Sequence, residues 1–373
     1  MKIVLTGGGT GGHIIPLIAV ARKIKEKHPD IQIIFIGPNG KLERDLFGKE
    51  DILIKGILAG KMRRYFSLLN FVDFFKIPIG IIQTLWILLF NMPDAIFSKG
   101  GYASLPVVLV GWLYRIPILI HESDSVPGLS NVILAKFCSR VAVSYPQAEN
   151  IFPSDKVVLT GNPLREGIDK GDAEVARQKF GLTSSQKTIF IYGGSQGSQT
   201  INNKILKILP NLLKKYQVIH QTGEKNIKEV EKIAGELGIK AGREGYFPIA
   251  FIGDELRDIL ALSDLVISRA GANSIAEIAA NGKACILIPL EKSANNHQRM
   301  NAYSLAKIEA CIALEENNLG ENLLLGKIEE IFNNEALRNK LQTNIKSFYR
   351  PNANEFIANG ILEMTRLDSS RSG

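Results

Sequence analysis

Short apolar runs alternate along this chain with longer stretches in which apolar positions recur every three or four residues. Residues 2–6 read as a buried strand, residues 7–12 (GGGTGG) as a glycine loop, and residues 14–27 as an amphipathic helix. The pattern returns at 188–192, 193–197 (GGSQG) and 199–209. Further strands are expected at 32–36, 95–98, 118–120, 141–144 and 157–160, and in the second half at 218–220, 250–252, 265–268 and 285–289. Strands alternating with helices predict parallel sheets, and two strand–glycine loop–helix starts predict two doubly wound α/β domains. The junction is placed at Gly161-Asn162-Pro163, because proline disfavours regular structure before it. A last helix is expected over 354–367, ahead of a polar tail.

A length of 373 residues fits two domains, and 45% hydrophobic with 22% charged residues fits a globular rather than a disordered chain. The net charge of +8 favours anionic partners without choosing among phosphates, acidic lipids and nucleic acid. The three cysteines, Cys138, Cys285 and Cys311, are far apart and form no CxxC pair, so neither a disulfide framework nor a zinc site is expected. Only five residues separate Met1 from the first glycine, too few for the apolar core of a secretory signal, which points to a protein kept inside the cell. The longest mainly apolar run, 77–90, falls short of the roughly 20 residues of a membrane span.

Both glycine loops end strands and open helices, where unpaired N–H groups and a partial positive charge receive anions. Gly7-x-Gly9-x-x-Gly12 also matches the dinucleotide fingerprint, but the second strand runs into Gly37-Pro38-Asn39 without the acid that holds a ribose. There is no P-loop and no Asp-x-Asp pair. A metal-free site built from backbone N–H groups and basic side chains remains, against the plainer reading that both loops are tight connections.

GGGTGGH, GGYASLP, HESDSVPG, GNPLR, GGSQGS and RAGANSIAEIAANG, followed by NNHQRMNA, occur in this order between Thr6 and Asn301. In these motifs the chain resembles the MurG family, the N-acetylglucosaminyltransferases of peptidoglycan synthesis. The resemblance implies a GT-B fold of two Rossmann-like domains facing a cleft. Residues 1–163 would bind the acceptor and dock on a membrane, 164–342 would bind UDP-N-acetylglucosamine, and 343–373 would cross back to the first domain. The implied reaction is an inverting transfer of N-acetylglucosamine to the C4 hydroxyl of N-acetylmuramic acid in an undecaprenyl-linked pentapeptide, lipid I, giving lipid II. It needs no cofactor and no metal. The implied setting is the cytoplasmic face of the plasma membrane, with an anionic lipid surface and cell-wall synthesis proteins as partners and no nucleic acid.

Residue by residue, the resemblance points to His13 and Asp124 as candidates for the base, and to Gly12, His13, Tyr102 and Asp124 for the acceptor. Thr10, Gly11, Gly12, Arg165, Ser195, Gln196, Gly197, Ile252, Ala272, Asn273, Ser274, Glu277 and Gln298 fall to the donor. Each has a plainer reading. His13 can be a polar residue at a helix start, Tyr102 and Asp124 loop anchors, Arg165 a surface cation, Ser195 an N-cap and Gln298 an exposed amide. Ser274-Ile275-Ala276-Glu277 fits a capping box in which Glu277 reaches back to its own helix start. Where the family usually shows HEQN this chain has His121-Glu122-Ser123-Asp124, so a carboxylate replaces an amide. His28 and His220 carry no motif and read as structural.

Lys55, Lys61, Arg63 and Arg64 precede an apolar stretch in which Phe71, Phe74, Phe75, Ile79, Ile82 and Trp86 exceed one core-facing stripe. The plain reading is a core helix with a charged flank; the other is docking on an anionic membrane surface. Rival functions are a UDP-N-acetylglucosamine 2-epimerase, a glycolipid glucosyltransferase, a nicotinamide oxidoreductase, and a regulator that binds the nucleotide sugar without turnover.

Overall fold

The computed structural model describes every residue except Thr10, 61–67, Ser195, Lys292 and 370–373, and does not describe the side chains of 68–70, Val72, Phe74, Ala294 and 366–369. The chain divides into two compact units, Met1–Arg165 with Arg350–Gly373, and Glu166–Tyr349.

In the first unit, β1 (Lys2–Thr6), β2 (Gln32–Gly37), β3 (Leu53–Gly56), β4 (Ala95–Ser98), β5 (Ile118–Glu122), β6 (Arg140–Val143) and β7 (Val157–Leu159) form one sheet. Its order is β3-β2-β1-β4-β5-β6-β7, and every pairing is parallel. The connecting helices include α1 (Gly11–Lys27), α2 (Lys41–Phe47), α3 (Leu68–Asn91), α4 (Ser104–Leu113), α5 (Leu129–Leu134) and α6 (Pro146–Glu149). The central strands are largely apolar because helices cover both faces; Ile3, Val4 and Leu5 of β1 are fully buried.

The second unit repeats the plan. After α7 (Ala173–Phe180) come β8 (Lys187–Tyr192), α8 (Gln199–Leu212), β9 (Tyr216–Gln221), α9 (Ile227–Glu236), β10 (Tyr246–Ile249), α10 (Leu256–Leu262), β11 (Leu265–Ser268) and α11 (Ala272–Ala280). β12 (Ala284–Leu287), α12 (His297–Lys307), β13 (Ile312–Ala313), α13 (Glu321–Asn333) and α14 (Glu335–Phe348) follow. The parallel order is β10-β9-β8-β11-β12-β13. In both sheets the order reverses beside the first strand, between β1 and β4 and between β8 and β11. Doubly wound proteins bind ligands outside the strand ends at such points.

The final helix, α15 (Ala353–Ser369), belongs to the first unit. Ile357, Ala358, Ile361, Leu362 and Met364 enter the same apolar core as Val20, Ala21 and Ile24 of α1. Outside that core, Lys27 Nζ reaches Glu355 Oε1 at 2.8 Å and Asn359 Oδ1 at 2.9 Å. Residues 343–348 lie within α14 and so in the second unit.

Three local expectations are corrected. The apolar triplet 250–252 is not a strand; β10 lies just before it and contains Pro248, which an edge strand tolerates because one side of its ladder is unpaired. β3 escapes the pattern because it is a short edge strand whose Leu53 is exposed. Helix α1 begins at Gly11, so the last two glycines of the first loop form its opening turn rather than preceding it.

Candidate active site

At the carboxyl end of the first sheet, β1 runs into Gly7, Gly8 and Gly9, all with positive φ. The Gly9 N–H donates to Glu43 Oε1 at 3.2 Å, and Glu43, on α2, is buried. This loop therefore departs from a free phosphate cradle: one of its donors already serves an internal carboxylate.

His13 stands in the first turn of α1, half-buried. Gly101, at φ +84°, makes room for it, since a Cβ there would come within 2.9 Å of the imidazole Cε1. Burial first, then the Lys99 charge, lowers the His13 imidazole to about 4 against the opposing effects of Asp124 and the Gly100 backbone. The ring is thus neutral at pH 7. Its Nδ1 atom is buried and makes no hydrogen bond to the described residues within ordinary geometry.

Lys99, directly after β4, is 4% exposed. Its Nζ lies 2.6 Å from His121 Nδ1, 2.5 Å from Ser123 Oγ and 3.0 Å from Asn162 Oδ1. Burial brings this lysine down to about 7 in spite of the neighbouring Glu122 and Asp124. His121 Nε2 lies 3.0 Å from the Gly161 carbonyl, which can only accept. The proton therefore sits on Nε2 and Nδ1 accepts from Lys99. Burial and Lys99 hold His121 well below its ordinary value.

Glu122 accepts from the Asp124 N–H at 2.9 Å, the Gly128 N–H at 2.9 Å and Asn131 Nδ2 at 2.9 Å. It organises the loop that presents Asp124. Burial and the Asp124 charge raise its carboxyl despite these donors. Asp124, Tyr102 and Arg165 are half-buried, and Arg165 is the last residue of the first unit before the crossing.

In the second unit, a cavity of ≈ 400 Å³ opens at the ends of β8 and β11. Gln196, Gly197, Ser274 and Gln298 line it with Gly194, Ser198, Arg269 and Gly271. The sequence thus anticipated part of one wall. Gly197, at φ +72°, is required for packing: a Cβ there would collide with the Thr222 carbonyl. Helix α8 is capped by Ser198, whose Oγ accepts from the Ile201 N–H at 3.3 Å, so the cap expected at Ser195 lies three residues later. Ser195 itself, like Thr10, lies outside the described residues. Gln298 Oε1 accepts from the Leu290 N–H at 3.0 Å, holding that side chain in place rather than leaving it as exposed filler.

The capping box at 274–277 does not form. α11 starts at Ala272 after the N-cap Gly271, with no side-chain cap, so Glu277 lies more than a turn inside the helix. Glu277 is 3% exposed, and its Oε2 accepts from Tyr192 Oη at 2.9 Å. Ala272 and Asn273 form the first turn of α11 with Ser274, while Ile252 is buried in the loop after β10.

Arg269, placed between β11 and α11, donates to the carbonyls of Ile288 (3.2 Å) and Pro289 (3.4 Å), to Ser198 Oγ (2.7 Å) and to Glu316 Oε1 (2.7 Å). Burial disfavours the Glu316 carboxylate, but Arg269 and Thr200 outweigh it and hold the group below its ordinary range. Arg269 thus shapes the cavity by tying the α8 cap to the loops beyond β12 and β13.

Two family models match the chain: the glycosyltransferase family 28 N-terminal domain over residues 3–143 and the family 28 C-terminal domain over residues 188–356. The chain belongs to glycosyltransferase family 28. A Bacillus anthracis relative, 40% identical over 91% of this chain and 94% of its own length, is named UDP-N-acetylglucosamine–N-acetylmuramyl-(pentapeptide) pyrophosphoryl-undecaprenol N-acetylglucosamine transferase 2. A Clostridium perfringens relative with the same enzyme name, without the final number, is 41% identical over 89% of this chain and 90% of its own. Among solved structures, Acinetobacter baumannii MurG matches with a TM-score of 0.76 at 25% identity, covering 97% of this chain and 99% of its own.

The family 28 assignment makes this a glycosyltransferase of GT-B fold. Four residues of the two clusters escaped the sequence reading: Glu43, Lys99, Asn162 and Arg269. Lys99 and Arg269 carried a usable signal, a cation directly after a short buried strand and just ahead of a glycine. Glu43 and Asn162 carried none, because their partners come from distant segments.

Proposed function

We propose that this chain transfers N-acetylglucosamine from UDP-N-acetylglucosamine to the C4 hydroxyl of N-acetylmuramic acid in undecaprenyl-linked lipid I, forming lipid II with inversion. The observation that carries this reading is the pair of relatives near 40% identity, spanning about nine-tenths of the chain, whose names specify that donor and acceptor. Under this reading the second unit, 164–342 in the sequence division, holds the donor. The α8 loop at Gln196 and Gly197 and the α11 start at Ala272, Asn273 and Ser274 direct backbone N–H groups to the diphosphate, together with Ser195 and Arg165. Glu277 accepts from the ribose hydroxyls, Gln298 addresses the sugar, and Ile252 contributes apolar contact. The first unit, 1–163, holds the acceptor through Gly12, His13, Tyr102 and Asp124; Thr10, Gly11 and Gly12 are further donor candidates under this reading.

The acceptor oxygen attacks the anomeric carbon from the face opposite UDP; the C–O bond to the diphosphate breaks and the hydroxyl proton passes to His13 or Asp124. A neutral His13 suits either a proton acceptor or a hydrogen-bond partner. The activity is placed on the cytoplasmic face of the plasma membrane, reached by peripheral docking. No helix among the described residues is long and apolar enough to cross a membrane.

Incubation with both substrates and a chelator should give UDP and the β-linked disaccharide lipid. Conversion of donor without acceptor would favour an epimerase, and strict metal dependence would overturn the metal-free displacement.

A further inference from the structure

In its charged form, which prevails below about pH 7, Lys99 is a buried ammonium whose three protons have three partners: His121 Nδ1 (2.6 Å), Ser123 Oγ (2.5 Å) and Asn162 Oδ1 (3.0 Å). With every donor engaged it has none left for a phosphate or sugar, so direct substrate binding is not its role. The partners come from three segments: the end of β5, the loop after it, and the chain leaving β7. Ser123 and Asp124 are also the two positions at which HESD departs from HEQN. A serine there accepts from Lys99, and a carboxylate there gains a nearby cation. The departures and the lysine form one electrostatic arrangement, because a carboxylate replacing an amide at a partly buried site needs a compensating charge.

We infer that Lys99 is a positioning residue for the acceptor-side chemistry: its fully engaged ammonium fixes the loop that presents Asp124 and balances the charge that Asp124 brings. This rests on the reading above that His13 and Asp124 serve the acceptor. The charged and titratable groups at this strand end are His13 on α1, Glu43 on α2, Tyr102 in the loop after β4, His121 and Glu122 on β5, and Asp124 beyond it. The Lys99 charge helps to hold the His13 imidazole down, so removing the cation makes His13 easier to protonate. A step that needs neutral His13 then fails at higher pH, which moves the acid limb up.

The test assays wild type, Lys99→Gln and Ser123→Ala with UDP-N-acetylglucosamine and a short-chain lipid-linked muramoyl acceptor from about pH 3.5 to 9, with UDP affinity measured separately. Folded Lys99→Gln should lose about tenfold or more in kcat, and its acid limb should move up by about one pH unit, at unchanged UDP affinity. Ser123→Ala keeps the charge but removes one anchor, so kcat should fall about threefold with the acid limb in place.

A folded Lys99→Gln chain with an unmoved acid limb overturns the inference, whatever its kcat, because simple loosening leaves the limb where it was. Should that variant not fold, Ser123→Ala decides: wild-type kcat overturns the inference and the threefold fall supports it. Wild-type chain that binds UDP but transfers no sugar sinks the transfer reading and this inference with it. Wild-type transfer with an unaffected Lys99→Gln variant sinks this inference alone.

Discussion

Glu277 and Tyr192 are separated by 85 residues, yet Tyr192 Oη donates to the Glu277 carboxylate. In sequence, Ser274 and Glu277 imitate a helix cap; in the structure the helix starts two residues before Ser274, which leaves the carboxylate facing Tyr192 instead. A carboxylate has about four acceptor positions, so a bond from Tyr192 is compatible with accepting from a ribose as well. Glu277→Ala is accordingly expected to raise KM for UDP-N-acetylglucosamine about tenfold, roughly 1.4 kcal/mol, with a smaller change in kcat. Steady-state kinetics at saturating acceptor checks this, and an unchanged KM would remove Glu277 from the donor site. Residues such as Gln196 and Gln298 were legible because they sit in ordered motifs. Lys99 and Glu43 were not, because their meaning lies in burial and in partners from other strands, which periodicity does not encode.

Helix α3 shows the same division at the level of an element. Its 24 residues carry Pro78 within the helix, and its outward side exposes Phe71, Phe75, Ile79, Ile82, Trp86 and Phe90, with Phe90 at 76%. Phe74, Lys61, Arg63 and Arg64, which the sequence grouped with this face, lie outside the described residues or have undescribed side chains. Lys76, on the helix itself, pairs at 2.7 Å with the buried Asp73, so that cation is neutralised at home. Large exposed aromatics on one helix face are costly in water and suit an interfacial lipid surface. We expect the double substitution Phe75→Asp with Trp86→Asp to cut co-sedimentation with anionic vesicles by at least about fivefold while leaving UDP affinity unchanged. Retention of wild-type sedimentation would argue against docking through α3.

For the molecule as a whole, the two sheets repeat one winding, and the chain closes by returning α15 to the core of the first unit. Deleting 353–373 removes Ile357, Ile361, Leu362 and Met364 from that core. Burial of such side chains is worth about 1.5–3 kcal/mol each, so the loss, about 6–12 kcal/mol, matches the whole stability of an ordinary domain. The truncated chain should lose the unfolding transition of the first unit yet still bind UDP through the second, as read by calorimetry with and without nucleotide. Two intact transitions would show that α15 is dispensable.

The sequence alone determined the parallel α/β character, the two strand–glycine loop–helix starts and the order of the motifs, because strand and helix periods and glycine punctuation are local properties of the chain. Only the tertiary structure decided that Glu43 occupies the first glycine loop, that Arg269 braces the second-unit cavity, and that Lys99 binds three segments at one strand end. These depend on which distant residues meet in a medium that excludes water, and there a single buried charge must find its partners wherever the fold supplies them.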